Sequence, residues 1–286
     1  MDVLSLRTNI ETKVRDANNQ ILSDAQILEL LNEGQKEYST FTGEIVQLNG
    51  FTVSSPQYDY PAPTDIVKLR QGWWLPLRAY ELKVANEWDM SMQGAFDNTP
   101  GGYPRAIAQA AEGSVQRLKV WPPPTSSSAS TTMNDAGGID SSVTSITLTS
   151  AAALRSAPGW VQIDNEKILY QRVNGNTLEL CRRGALGTSA ASHSDGATVT
   201  QIDLLISYSR FPTALSGDSS VPEIQLSRHQ DLEYYVLFHA MLLDARPDAA
   251  AAYRSLWEAA KLAARKETYR VQAAAPARRI RSPYGP

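Results

Sequence analysis

The stretch that most constrains the fold runs from Ser227 to Arg270. It reads SRHQDLEYYVLFHAMLLDA, then RPD, then AAAAYRSLWEAAKLAARKETYR. In the first half Leu232, Tyr235, Val236, Ala240 and Leu243 recur at helical spacing. Tyr234, Leu237, Phe238 and Met241 fill the other faces, leaving little polar surface. A helix that is apolar nearly all round is buried in a core or between subunits. Pro247 cannot continue that helix, and Asp248 can cap a new one. The second half carries Tyr253, Leu256, Trp257, Ala260 and Ala264 on one stripe, with Arg254, Glu258, Lys261 and Arg265 largely off it. The segment therefore reads as a helical hairpin. Beyond it, VQAAAPARRIRSPYGP loses the helical pattern and holds Arg278, Arg279 and Arg281, three prolines and no acid.

The 286 residues allow one large domain or two ordinary ones. A hydrophobic content of 42% and a charged content of 20% are those of an ordinary globular protein. A net charge of −3 and a pI near 5.7 argue against a protein that coats DNA, which needs a broad basic face. The single cysteine, Cys181, rules out an internal disulfide and a cysteine-based zinc site. There is no run of about 18 apolar residues, so no membrane-spanning helix is expected. The start, MDVLSLRTNIETK, lacks a basic segment followed by an apolar block, so an intracellular origin is expected.

Residues 4 to 17 are expected to form a first helix, with Leu6, Ile10 and Val14 on one face. Ser23-Asp24-Ala25-Gln26 has the spacing of a capping box. It opens a second amphipathic helix through Ile27, Leu30, Leu31, Gly34, Tyr38 and Phe41. From Gly43 to Pro124 the period shortens. Tyr58 to Asp65 is extended and bounded by proline, and strands are expected at Ile66 to Gln71, Tyr80 to Val84, Arg105 to Gln109 and Ser114 to Trp121. These read as a small antiparallel β element.

Thr125 to Thr132, TSSSASTT, reads as a low-complexity linker. After it come strands at Ser145 to Leu148, Trp160 to Ile163, Glu166 to Val173, Thr177 to Cys181 and Thr198 to Thr200. Asn174-Gly175-Asn176 signals a hairpin among them. Leu204 to Ser209 is a further strand, patterned like Arg117 to Trp121, and the two are expected to pair with the β module inserted at their tip. The expected class is α+β. Its core would be a helical bundle, two N-terminal helices plus the long C-terminal pair, accompanied by the small antiparallel β element and an inserted all-β module. The expected domains are residues 1–125 with 202–272 as the core, 126–201 as the insertion and 273–286 as an extended arm.

The sequence carries few groupings that point to chemistry. His239 reads as a hydrogen-bonded packing residue and His229 as an exposed one at a helix start. His193 lies among Ser192, Ser194 and Asp195, but a catalytic triad needs geometry, not neighbouring letters. A turn-stabilising role fits it better. Asp164 and Glu166 lie two apart on an expected strand and could act as acid and base or hold a cation. No calcium-type loop accompanies them, which favours a solvated strand face. Gly101-Gly102 and Gly137-Gly138 are not phosphate loops, since no Gly-Lys-Ser/Thr follows. Trp73, Trp74, Trp88 and Tyr80 could form a stacking platform, or belong to a core or an interface. No catalytic residue, cofactor or metal ligand is assigned, and the chain is expected not to be an enzyme. The tail reads either as a free terminus or as a docking arm. In the second reading Pro276 and Pro283 favour an extended chain, Arg278, Arg279 and Arg281 offer bidentate contacts to carboxylates, and Ile280 and Tyr284 fill apolar pockets.

The order of parts resembles the head-to-tail adaptor, or connector, proteins of tailed bacteriophages. The resemblance rests on the N-terminal helix pair, the Tyr58 to Pro63 piece, the Gly102-Tyr103-Pro104 turn, the strand ending Trp121-Pro122-Pro123-Pro124, the Pro222-Glu223 step and the long helical pair. It covers about residues 1–124 and 202–286. The module is similar to a small β domain that recurs in phage structural proteins, through Ile163 to Tyr170, Arg183-Gly184-x-x-Gly187-Thr188 and His193-x-x-Gly196-Ala197. The resemblance implies a virion protein of the neck, between capsid and tail, assembled in the host bacterial cytoplasm. It implies a ring, usually of twelve copies, beneath the portal protein, with DNA passing through the lumen without sequence-specific binding and with no membrane partner. It further implies that Tyr235, Phe238, Met241, Tyr253 and Trp257 pack between subunits. The arm residues Arg278, Arg279, Ile280, Arg281 and Tyr284 would dock onto the portal, and the tail tube, nozzle or other tail proteins would follow below. A rival reading makes the chain a virion binding module whose β insertion recognises the host surface or another tail protein through loops around Arg182 to Gly196. A third, a wall hydrolase using Asp164 and Glu166, lacks a supporting constellation.

Overall fold

The structure, a computed structural model, describes residues 1–14, 21–76, 80–86 and 102–274. The chain divides into two compact units. Of the described residues, one holds 1–46 and 209–274, and the other holds 47–208.

The first unit is helical. Helix α1 spans Val3–Val14 and buries Val3, Leu6, Ile10 and Val14, the three- and four-residue spacing of one helical face. The expected extension to residue 17 falls outside the described residues. Asp2 caps this helix by accepting the Ser5 N–H at 3.0 Å. Helix α2 spans Asp24–Thr42 and opens on the capping box. The Gln26 N–H donates to Ser23 Oγ at 3.4 Å, and the Ser23 N–H donates to Gln26 Oε1 at 2.9 Å. It ends at Gly43, whose φ of 63° suits a residue without a Cβ.

Two further helices follow, α3 (Asp231–Leu243) and α4 (Pro247–Ala274). Pro247 opens α4 as its first residue, where the missing N–H has no partner to lose. Asp248 therefore lies inside the first turn and does not cap, contrary to expectation. The reversal is made by Ala245, at φ 54°. The helix also runs past Arg270 to Ala274, through Gln272 and two alanines that are good helix formers. The four helices share one core that includes Leu6, Ile10, Leu31, Tyr38, Val236, Leu237 and Trp257. An acid is buried in this unit as well: Glu233 on α3 is 0% exposed and is held by Lys13 and, at 3.0 Å, by Asn9 Nδ2 of α1.

The α+β class holds, but a helical bundle as the core with only a small antiparallel β element does not. The second unit contains a seven-stranded sheet of β1 (Val46–Phe51), β2 (Asp59–Pro61), β3 (Ile66–Trp74), β4 (Tyr80–Val84), β5 (Ala106–Glu112), β6 (Val115–Trp121) and β14 (Leu204–Arg210). Their order is β1-β14-β3-β4-β5-β6-β2. The β4–β5 pair is parallel, so the sheet is mixed. Its own core includes Trp74, Leu82, Ile107, Leu118, Leu204 and Ile206. The expected pairing of Arg117–Trp121 with Leu204–Ser209 is absent. Strand β6 pairs with β5 through the tight turn at Gly113 and with β2, whereas β14 sits between β1 and β3. Six successive residues of β14 are buried, and only a strand covered on both faces satisfies such a run. Similar alternation in two strands does not specify that they are partners.

The remaining strands build a separate β body. Strands β7 (Ser130–Thr132), β9 (Gly159–Ile163), β10 (Glu166–Tyr170) and β13 (Thr198–Gln201) form one sheet, and β8 (Ile146–Thr147), β11 (Arg172–Asn174) and β12 (Thr177–Glu179) another. Both contribute to a third core containing Ile146, Val161, Ile163, Ile168, Tyr170 and Leu178. The Asn174-Gly175-Asn176 hairpin forms as expected, with Asn174 opposite Thr177. The TSSSASTT stretch is not a free linker. Ser130 to Thr132 pair with β13, and the hydroxyls of Ser127 and Ser128 accept the Ser55 and Val53 N–H groups. The chain enters and leaves this body side by side: Gln201 N–H donates to Ala129 O at 2.8 Å, and Ser128 N–H to Val53 O at 2.9 Å.

Candidate functional site

The expected acid pair does come together, through a histidine. Asp164 and Asn165 form the two-residue turn between β9 and β10, with Glu166 opposite Ile163. Asp164 takes φ 49°, a conformation that Asp tolerates better than most residues. The two carboxylates therefore do not share a strand face. Asp164 is 65% exposed at its side chain, and Glu166 is fully buried. His193, itself buried, reaches Asp164 Oδ2 with Nδ1 and Glu166 Oε2 with Nε2, both at 2.8 Å. Arg183 binds Glu166 in bidentate fashion: Nε donates to Oε1 and Nη2 to Oε2, each at 2.8 Å. The Gly184 and Ala191 N–H groups also donate to Glu166, at 2.8 and 3.0 Å. Burial by itself pushes the Glu166 carboxyl up. The Arg183 guanidinium, those backbone donors and His193 outweigh it and hold the pKa at about 2.

This geometry explains the Arg-Gly-x-x-Gly-Thr and His-x-x-Gly-Ala pattern in physical terms. Gly184 sits at φ 59° with the Ala190 nitrogen 2.9 Å from where a Cβ would be, so a side chain there would break the turn that presents its N–H to Glu166. Thr188 Oγ1 accepts the Lys167 N–H at 3.0 Å and donates to Ala185 O at 2.8 Å. Arg183 also donates to the Asp140, Val143 and Ala191 carbonyls. Glu166 is thus the hub that fixes the loops from Asp140 to His193. Its acceptor positions are filled, and it is withdrawn from solvent. That is the arrangement of a brace, not of a free acid or base. Among the described residues no group of three or more His, Cys, Asp or Glu is placed to hold a metal.

The helical hairpin gives the second candidate. Met241 and Trp257 are buried inside this chain's own core, and Tyr235, Phe238 and Tyr253 are half-buried beside it. Trp257 donates Nε1–H to Glu37 Oε1 at 3.2 Å. Its ring lies 5.5 Å from Tyr38 and 5.3 Å from Tyr235, centroid to centroid. Tyr235 packs over Gly34, where a Cβ would lie 3.0 Å from the tyrosine ring, so α2 and α3 approach closely at that point. Lys261 is buried between Glu37 and Glu258 with the Phe41 and Trp257 rings nearby. The apolar side chains left facing outward are Leu242 and Leu243 at the end of α3 and Leu256, Leu262 and Tyr269 along α4.

Other expected features fall out differently. His229 is buried: Nδ1 lies 3.0 Å from Met1 O and Nε2 3.0 Å from Ile224 O, pinning the N-terminus to the start of the C-terminal pair. His239 is half-buried and packs against the Tyr235 and Phe238 rings. Trp74 belongs to the core of the large sheet, while Trp73 and Tyr80 are half-buried. Trp88 and the arm residues Arg278, Arg279, Ile280, Arg281 and Tyr284 lie outside the described residues.

Two features had no sequence signal at all. One is the clasp around Asp203, which accepts from Ser128 Oγ at 2.7 Å and from Arg155 Nη2 at 2.6 Å. The other is Lys167, on the same strand as Glu166 and pointing to its opposite face. Both form between residues far apart in the chain, which no local spacing records.

Braced β loops and a helical hairpin that carries exposed leucines fit a component that works by offering surfaces. Comparison with protein families gives the particular class. Residues 1–281 match the SU10 adaptor protein family, and the chain belongs to that family. A search of curated proteins found no match.

Proposed function

We propose that the protein is a structural component of the neck of a tailed bacteriophage, a head-to-tail adaptor. Copies assemble into a ring, twelve in number, under the portal at the capsid vertex. The ring joins the portal to the tail tube or nozzle and lets DNA pass through its lumen. It works as structure, not as a catalyst. In this reading residues 1–125 and 202–272 are the adaptor core, 126–201 are an insertion, and the C-terminal arm docks on the portal through Arg278, Arg279, Ile280, Arg281 and Tyr284. Tyr235, Phe238, Met241, Tyr253 and Trp257 shape the helices that pack between copies. The half-buried members and the outward Leu256 and Leu262 supply the contact, and the buried Met241 and Trp257 hold its shape.

The observation that carries this reading is the family match over residues 1–281, nearly the whole chain. The mild negative charge supports it, because a conduit should not grip the DNA it conducts. A truncation that ends at Ala274 tests the arm. Its helical circular dichroism and melting temperature should match the full chain, while binding to purified portal rings falls by at least about tenfold. Equal portal binding by the truncated protein would overturn the docking role.

A further inference from the structure

An open cleft of about 370 Å³ lies within the unit of residues 47–208, where the large sheet meets the β9–β10 hairpin. Phe51, Tyr60 and Pro61 give it apolar walls. Lys167, Asn165 and the Thr52 and Ser54 hydroxyls give it polar ones. Lys167 is half-buried here. Its ammonium bonds Asn49 Oδ1 and lies 5.5 Å from the centroid of the Phe51 ring. Neither partner carries a negative charge.

The acids that could neutralise it are committed elsewhere. Glu166, its sequence neighbour, points to the other face of β10 and is held by Arg183. Asp164 faces His193, and Asp59 pairs with Arg117 at 2.7 Å. Among the described residues no acidic side chain lines the cleft. A cation withdrawn from water without a counter-ion is costly, and an anion brought to it removes that cost. Burial holds the Lys167 amine at about 8, in keeping with this missing charge.

The lining also narrows the ligand. One lysine and no arginine provide a single positive charge, which matches a carboxylate better than a phosphate dianion. The Gln57 and Gln162 amides each spend one N–H on the Asp59 and Asp164 carbonyls, and the Asn165 amide and the Thr52 and Ser54 hydroxyls stand with the lysine on the lining. The outermost strands of the seven-stranded sheet, β1 and β2, both border the cleft. On β2 the Asp59 carbonyl is taken by Gln57 and Pro61 has no N–H, so β1 is the edge that suits an extended chain.

We propose that this cleft receives an extended acidic segment of a partner protein, with an aspartate or glutamate carboxylate paired to the Lys167 ammonium. The inference stands on the cleft alone and does not depend on ring assembly.

Fluorescence anisotropy with the full chain tests it. The probe is a short, end-blocked, labelled peptide of alternating valine and glutamate, and its glutamine counterpart is the control. The glutamate peptide should bind at least about tenfold more tightly. Lys167→Met should erase that preference, and Lys167→Arg should keep part of it. Asn165→Ala, a change in an exposed turn, should weaken the glutamate peptide without altering the melting temperature, which guards against a Lys167 variant that fails to fold. Affinity should fall as pH rises through about 8 and beyond, because a neutral amine cannot pair with the carboxylate. Tyr60, the other titratable group on the lining, is pushed to about 12 by burial and stays protonated across that range. Equal affinity for the two peptides, or a preference that survives Lys167→Met, would overturn the proposal. Displacement of the peptide by glucuronate or inorganic phosphate at equal concentration would overturn the choice of a protein segment.

Discussion

At the scale of single residues, the most consequential group is Glu166. Its carboxylate is buried and answered by one guanidinium, one imidazole and two backbone N–H groups. Removing a partner leaves a buried charge uncompensated, so Arg183→Met should destabilise residues 47–208 by about 3–5 kcal/mol in denaturant melts. A loss under about 1 kcal/mol would show that the brace is not structural. The pH dependence follows from the direction of the shift. Glu166 is depressed in the folded state, so its contribution is complete above its ordinary value near 4.5 and is lost as pH falls toward about 2. Glu166→Gln should flatten that acid limb of the stability profile. Lys167 has the opposite character. Its folded value is lowered to about 8, so between there and about 10.5 the unfolded chain binds the proton better, and this residue's contribution rises with pH. The sequence showed His193 among serines and Asp164 near Glu166, and the turn-stabilising reading of His193 matches its bonds. That Glu166 is buried was not legible, because its partners Arg183 and His193 lie 17 and 27 residues away in the chain.

At the scale of elements, the helices were the legible part. Ser23 and Gln26 signalled the start of α2 because a capping box is a local contact within one turn. Ser23→Ala should cost about 1 kcal/mol in thermal or denaturant unfolding, and no loss would mean the cap is redundant. The approach of α2 to α3 is fixed by a residue that looks unremarkable in the sequence. Gly34→Val should force the Tyr235 ring aside and destabilise the helical unit by about 1–3 kcal/mol. The sheet was only half legible. Most strands were recognisable from alternation, yet their partners were not: β14 was expected beside β6 and lies between β1 and β3. Alternation records which face is buried, not which neighbour supplies the hydrogen bonds. The TSSSASTT stretch misled for a related reason. Its serine hydroxyls work as hydrogen-bond partners for Val53 and Ser55, a use that composition cannot distinguish from a solvated linker.

At the scale of the whole molecule, the described residues form three hydrophobic cores, which serve the helical unit, the large sheet and the β body. The β body is joined where Ala129 and Gln201 lie side by side. Replacing residues 129–201 by a short glycine-serine bridge should therefore leave the helical circular dichroism and the portal binding in place. Loss of both would show that the body is integral to the fold. Whether this phage adaptor builds a ring on the portal is read by mass photometry of the purified protein, alone and mixed with purified portal rings. A portal-bound species should appear whose added mass corresponds to twelve copies of the 31.3 kDa chain. Absence of any portal-bound species across a range of salt concentrations would contradict a ring built on the portal.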